Sequence, residues 1–87
     1  MIIVQYHQRP IVLRSDVSTD DIATYDAIFK YSNPHELKHF VDKFIAHPEL
    51  QSACIYYHDE AHLWQQFRAI YSIAPTAREG VFEFVNL

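Results

Sequence analysis

The chain has 87 residues, enough for one domain with a single modest core, and its 49% hydrophobic and 21% charged residues exclude a disordered protein. Seven basic against eleven acidic residues give a net charge of −4, which argues against a nucleic-acid partner because such a surface would have to neutralise phosphates. A single glycine argues against glycine-rich phosphate-binding loops, and a single cysteine, Cys54, excludes a disulfide within the chain.

No stretch approaches the roughly 20 consecutive apolar residues of a membrane span. The start of the chain, MIIVQYHQRP, lacks the basic leader and long apolar region of a signal peptide. We therefore predict no membrane partner and a cytoplasmic location. Cys54 lies inside an apolar run without a basic neighbour, so we expect a buried and unreactive thiol.

The N-terminal part of the chain has the pattern of three short strands. Residues 2, 4 and 6 alternate with residues 3, 5 and 7, Arg9-Pro10 interrupts, and residues 11–13 resume the apolar run. The polar and acidic residues 15–26 lack the central glycine and late glutamate of a calcium loop, so we interpret them as a solvated helix start. Residues 27–31 then form the third predicted strand.

Two amphipathic helices follow, with a strand between them at residues 53–57. Asn33, Pro34 and Glu36 have the cap chemistry of a helix start, and Pro48 ends this helix. Asp59 is the predicted N-cap of the second helix. The apolar stripes of both helices and the strand between them supply the predicted core, which consists of Leu37, Phe40, Val41, Phe44, Ile55, Leu63, Trp64 and Phe67.

The last predicted strand, residues 81–85, is mostly apolar on both sides, with Glu83 on the same face as Val81 and Val85. We expect it either to lie inside the sheet or to pair with a second chain, which makes Val81, Phe82, Phe84 and Val85 candidate interface residues. The element order β-β-β-α-β-α-β predicts an α+β two-layer sandwich, with a mixed sheet of about five strands and both helices on one face. We expect residues 1–74 to form this single domain, and residues 75–87 to be a linker and terminal strand or the start of a downstream domain.

The sequence HELKH at residues 35–39 matches the zinc motif H-E-x-x-H. Helical spacing places His35 and His39 away from the apolar stripe, and Glu36 already serves the helix cap. Glu60 could act only as a distant third ligand. We therefore predict no metal and no cofactor, and keep these two histidines and Glu60 as weak metal-ligand candidates.

The layout resembles the N-terminal region that precedes the catalytic domain in a group of bacterial Nudix hydrolases. The residues that carry the resemblance are Arg9-Pro10 at the first turn, the capped helix SNPHELKHFVDKF and the stretch IYYHDEAHLWQQF. At residues 77–82, AREGVF stands where these proteins enter the first Nudix strand, with Arg78-Glu79 in place of small residues. The Nudix box is absent, so the resemblance implies a non-catalytic accessory domain that aids assembly or substrate choice, with a downstream catalytic domain as its partner.

Two alternatives stay open beside this interpretation. One is a free-standing interaction protein that forms a homodimer, which the apolar terminal strand favours. The other is a small metal-dependent hydrolase that uses the HELKH motif, which the outward direction of its histidines disfavours. A Nudix box in a continuing reading frame would separate the accessory domain from both.

Overall fold

The computed structural model describes residues 1–85 as one mixed six-stranded sheet with two helices, which confirms the predicted mixed α/β class. Neither helix in this part of the chain has the length and apolar character needed to cross a membrane. The elements are β1 (Ile2–Tyr6), β2 (Arg9–Arg14), a 3-10 turn (Ile22–Thr24), β3 (Ala27–Lys30), α1 (Pro34–Ala46), β4 (Ala53–Tyr56), α2 (Glu60–Ile70), β5 (Ile73–Pro75) and β6 (Val81–Phe84).

The strands lie in the order β3-β4-β2-β1-β6-β5. β2, β4 and β3 run parallel to one another, while β1 is antiparallel to β2 and parallel to β6. The turn between β1 and β2 has positive φ at His7 (50°) and Gln8 (68°), which is typical of a two-residue hairpin turn whose twist matches the strands. The three parallel strands therefore form one half of the sheet, and their carboxyl ends lie at the same edge.

The strand count is six instead of about five because no strand was predicted where β5 lies. β5 has only three residues and ends at Pro75, so it has almost no periodic pattern of its own. It pairs antiparallel with β6, with Ile73 opposite Phe84. Gly80, with φ of 76°, turns the chain into β6 in a conformation that side-chain-bearing residues adopt only with strain.

β6 lies inside the sheet, between β1 and β5. Its residues Val81, Phe82 and Glu83 pair with β1, and Phe82 and Phe84 pair with β5. Of the two arrangements expected for this strand, pairing within the sheet is the one found. Both of its hydrogen-bonding edges are occupied by strands of the same chain, so β6 cannot extend a sheet into a second chain.

Both helices begin with the predicted cap chemistry. The Asn33 side chain accepts hydrogen bonds from the backbone N–H groups of His35 and Glu36, at 3.1 and 3.2 Å. The Glu36 carboxylate in turn accepts from the Ser32 N–H at 3.1 Å, one residue earlier than in a standard capping box. The Asp59 side chain caps α2 by accepting from the His62 N–H at 3.0 Å.

The core lies between the helices and one face of the sheet, and six of the eight predicted core residues are buried there. Phe40 and Trp64 are partly buried and pack against this core from its edges. Phe40 stacks on Phe29 of β3 with ring centres 4.6 Å apart, and β3 is an edge strand, so the outer side of this pair faces solvent. Trp64 packs on Phe82 at 4.7 Å, while the Arg68 guanidinium lies over its ring.

The connection from β2 to β3, residues 15–26, lies on the opposite face from the helices. From β2 the chain moves past β4 to reach β3, and from β3 it moves back to β4, so the two connections cross the sheet in opposite directions. Connections between parallel strands are right-handed, and two right-handed connections that run in opposite directions lie on opposite faces of the sheet. We call residues 15–26 the crossover segment. Cys54 points to this face and is fully buried, as expected, and burial raises the pKa of its thiol to about 11.

Candidate ligand pocket at the strand ends

A pocket of about 430 Å³ lies at the carboxyl ends of the three parallel strands. Its walls are residues 15–17 after β2, residues 30–32 at the end of β3 and residues 56–58 at the end of β4. We call it the strand-end pocket. After β2 the chain turns to one face of the sheet and after β4 to the other, so the ends of these two neighbouring strands diverge. Open α/β sheets bind their ligands in the crevice at such a switch point.

Three side chains form a row across the strands beside the pocket. Lys30 of β3 and Arg14 of β2 are both paired in register with Tyr56 of β4. Since Phe29 and Ile55 belong to the helix-side core, strand alternation directs this row to the face that carries the crossover segment. Neighbouring strands are about 4.8 Å apart, so Tyr56 lies directly between two cationic side chains.

The two cations of this row differ in their partners. Arg14 donates to the Asp21 carboxylate at 2.8 Å and to the Tyr25 hydroxyl at 3.5 Å, and this ties the crossover segment to the sheet. The hydrogen bond from the Ser18 hydroxyl and the pairing with Arg14 hold the pKa of Asp21 below its ordinary value. Among residues 1–85, Lys30 has no ion-pair partner, and its side chain is exposed.

An aromatic cluster forms the helix side of the strand ends. The rings of Tyr31 and Tyr57 meet edge to face, with their centres 4.9 Å apart. The centre of the Tyr57 ring lies 4.1 Å from that of His58 and 5.9 Å from that of His62. Tyr31 is only 2% exposed, and its hydroxyl group has no hydrogen-bond partner within the described chain. Burial, with a contribution from Tyr57, raises the pKa of this hydroxyl.

The pocket combines an aromatic surface with charged and short polar side chains. Tyr56 offers a flat aromatic surface, Lys30 a positive charge, Asp16 a negative charge, and Ser15 and Ser32 short polar side chains. Across residues 1–85, no serine or cysteine side chain is hydrogen-bonded to a histidine.

The weak metal candidates lie apart from this pocket. His35 and His39 are exposed on α1, and Glu60 at the start of α2 accepts a hydrogen bond from the N-terminal ammonium group at 2.9 Å. No group of three or more histidine, cysteine, aspartate or glutamate residues in the described chain could hold a metal ion. The structure therefore does not bring the three candidates together.

The four candidate interface residues all belong to β6 or follow it directly. Val81 is 4% exposed, and the rings of Phe82 and Phe84 pack on Trp64 and Phe67 of α2. Val85 is the most exposed of the four, at 37%. Contact of these residues with a partner stays a prediction.

Sequence reasoning missed Lys30, Tyr56 and the residues around them. The available signal was the polar residues that follow three apolar runs, at Arg14-Ser15, Ser32 and His58, which we interpreted only as breaks between elements. Those three positions can be placed together only once the strand order is known. Comparison with protein-family models, with curated proteins and with solved structures finds no match to this chain, so the resemblance to the Nudix N-terminal region stays a prediction.

Proposed function

We propose that this chain is a non-catalytic accessory domain that binds a small ligand in the strand-end pocket. One observation carries the proposal: the pocket lies where the connections after two adjacent parallel strands leave to opposite faces of the sheet. Its volume of about 430 Å³ falls in the range of small-molecule sites in proteins. Aromatic and polar side chains converge there, as they do in such sites.

Tyr31 lines the pocket but is poorly placed to exchange a proton with a bound ligand. Its hydroxyl is shielded from solvent, and burial raises its pKa above the ordinary value. We therefore assign Tyr31 to the wall of the pocket and give it no chemical role in the proposal.

In the cell, the proposed role is assistance to a catalytic domain of the Nudix type, through substrate choice or assembly. The support for this part is the resemblance carried by the hairpin, the capped helix and the Leu63-Trp64 region. A cytoplasmic location and a partner that is either a downstream domain or a second copy of the chain belong to the same proposal. A Nudix box in a continuing reading frame would support it, and its absence would favour the homodimeric alternative.

The ligand site is tested by adding a library of small fragments to the ¹⁵N-labelled chain and recording amide chemical shifts. We expect the shift changes to cluster at residues 30–32 and 56–58. Ser15→Trp should fill the pocket and remove those changes, whereas Ser72→Trp, at another exposed serine outside the pocket, should leave them intact. Shift changes scattered over the surface, or insensitive to Ser15→Trp, would contradict the proposal.

A further inference from the structure

The positions of Tyr56 and Lys30 indicate what kind of molecule the strand-end pocket takes. Resting on the function proposed above, we infer that the ligand is a small planar aromatic anion, which stacks on Tyr56 and pairs its negative group with Lys30. Both residues line the pocket, and they lie side by side on the same face of the sheet, paired in register on adjacent parallel strands.

Tyr56 supplies the aromatic part of the argument. It is partly buried in the centre of the row, with Lys30 on one side and Arg14 on the other. Residues 15–17 at the start of the crossover segment line the same pocket, so a flat ring can lie between the tyrosine and this segment. Offset stacking of two rings is favoured over contact with a saturated group of equal size.

Lys30 supplies the charge selection. Arg14 is already neutralised by Asp21 at 2.8 Å, so its charge is committed to the crossover segment. Asp16 also lines the pocket, but its carboxylate lies 4.0 Å from Arg14 and is highly exposed, so that cation and solvent offset its negative charge. Lys30 has no such partner in residues 1–85 and keeps its charge available for the ligand. The net charge of −4 on the whole chain opposes anions only weakly, because salt screens charges beyond about 8 Å under physiological conditions.

The reach of these groups sets the geometry of the ligand. Adjacent strands are about 4.8 Å apart, so a ring stacked on Tyr56 brings an attached carboxylate within reach of the flexible Lys30 side chain. The volume of about 430 Å³ is near the lower end for small-molecule sites, which favours one or two fused rings with a single anionic group.

Three probes, added to the intact chain, distinguish the contribution of the aromatic ring to the affinity from that of the negative charge. They are 2-naphthoate, its neutral analogue 2-naphthamide, and the non-aromatic anion cyclohexanecarboxylate. We expect naphthoate to shift the amides of residues 30–32 and 56–58. Naphthamide should bind about three- to fivefold more weakly, the contribution of one solvent-exposed ion pair. Cyclohexanecarboxylate should bind about tenfold more weakly, because the stacking contribution is lost.

Two variants assign these differences to the residues. Lys30→Gln should lower naphthoate affinity to the level of naphthamide and leave naphthamide unchanged, while Lys38→Gln, at an exposed lysine on α1, should change neither. Tyr56→Leu should weaken both aromatic probes. Equal affinity of Lys30→Gln and the unmodified chain for naphthoate would overturn the charge assignment. Tighter pocket binding of 2-naphthylmethylamine, which is a cation at neutral pH, would overturn it too. Both outcomes leave the pocket itself supported. Failure of every fragment to bind there overturns the proposed function as well.

Discussion

The Tyr31 hydroxyl group is a buried polar atom without a hydrogen-bond partner among residues 1–85. The Tyr71 hydroxyl is also buried, but the Asp42 carboxylate lies close enough to accept a hydrogen bond from it. An unpaired hydroxyl loses its bonds to water on folding and gains none in return, at a cost of about 1–3 kcal/mol. We predict that Tyr31→Phe raises the free energy of unfolding by about 0.5–1 kcal/mol, as measured by urea denaturation at neutral pH, whereas Tyr71→Phe gives no such gain. Destabilisation by Tyr31→Phe would show that its hydroxyl has a partner, such as a buried water.

The same two residues predict a dependence on alkaline pH. Burial raises the pKa of both hydroxyls above the ordinary value of 10, and the nearby Asp42 carboxylate raises that of Tyr71 further. Above pH 10 the unfolded chain therefore binds fewer protons than the folded one, and stability falls as pH rises. Each Phe variant should show a shallower decline than the unmodified chain in unfolding measurements from pH 9 to 11.

At the scale of secondary structure, Arg9 ties the end of α1 to β2. Its guanidinium donates hydrogen bonds to the backbone carbonyls of Phe44 at 2.7 Å, His47 at 2.8 Å and Leu50 at 2.6 Å, and it lies 4.1 Å above the Phe44 ring. The last carbonyls of a helix have no partner within the helix, so these bonds replace an ordinary C-terminal cap. Hairpin, helix and the following loop are thereby joined through one side chain.

We predict that Arg9→Met lowers the free energy of unfolding by about 2–3 kcal/mol, because methionine keeps the packing on Phe44 but leaves the carbonyls without a charged donor. The loss should hardly vary between low and high salt, since the acceptors are uncharged. Lys38→Met is the control: it breaks the exposed Lys38–Asp42 pair at 2.7 Å and should cost at most about 0.5 kcal/mol, less at high salt. Equal effects of the two substitutions would contradict the capping role of Arg9.

The elements that sequence predicts best are those whose signal is local. Asn33 and Asp59 identify both helix starts, because a cap is decided by a few adjacent residues, and the buried stripe of Leu37, Val41 and Phe44 follows from helical periodicity. The role of Arg9 is different in kind. It depends on carbonyl groups 35 to 41 residues further along the chain, which no local pattern reveals.

For the whole molecule, what sequence could not provide is the order of the strands. β5 exists only because β6 lies beside it, so the short stretch from Ile73 to Pro75 carries no independent signal. The strand-end pocket depends on the same information, since Lys30 and Tyr56 become neighbours only when β3 pairs with β4. The two-layer arrangement could be predicted from the types of the elements and the handedness of their connections. The strand-end pocket could not, because predicting it requires knowing which distant segments pair in the sheet.

β6 gives a test of the whole arrangement, because it joins β1 near the start of the chain to β5 near its end. Its helix-side residues Phe82 and Phe84 pack on α2, with Phe82 4.7 Å from Trp64 and Phe84 5.7 Å from Phe67. A chain truncated after Pro75 loses these contacts and the hydrogen bonds to both neighbouring strands. We predict that it loses cooperative thermal unfolding, as measured by circular dichroism.

Two substitutions in β6 distinguish loss of the core from loss of an interface. Phe82→Ala should lower the free energy of unfolding by about 3 kcal/mol because it removes a ring packed between the sheet and α2. Glu83→Ala, at the next and exposed position, should change it by less than about 0.5 kcal/mol. Light scattering should give both variants the mass of the unmodified chain. If Phe82→Ala instead left stability intact and halved the mass of a dimer, β6 would serve a partner chain more than its own sheet, and the interface prediction for Val81, Phe82, Phe84 and Val85 would gain its support.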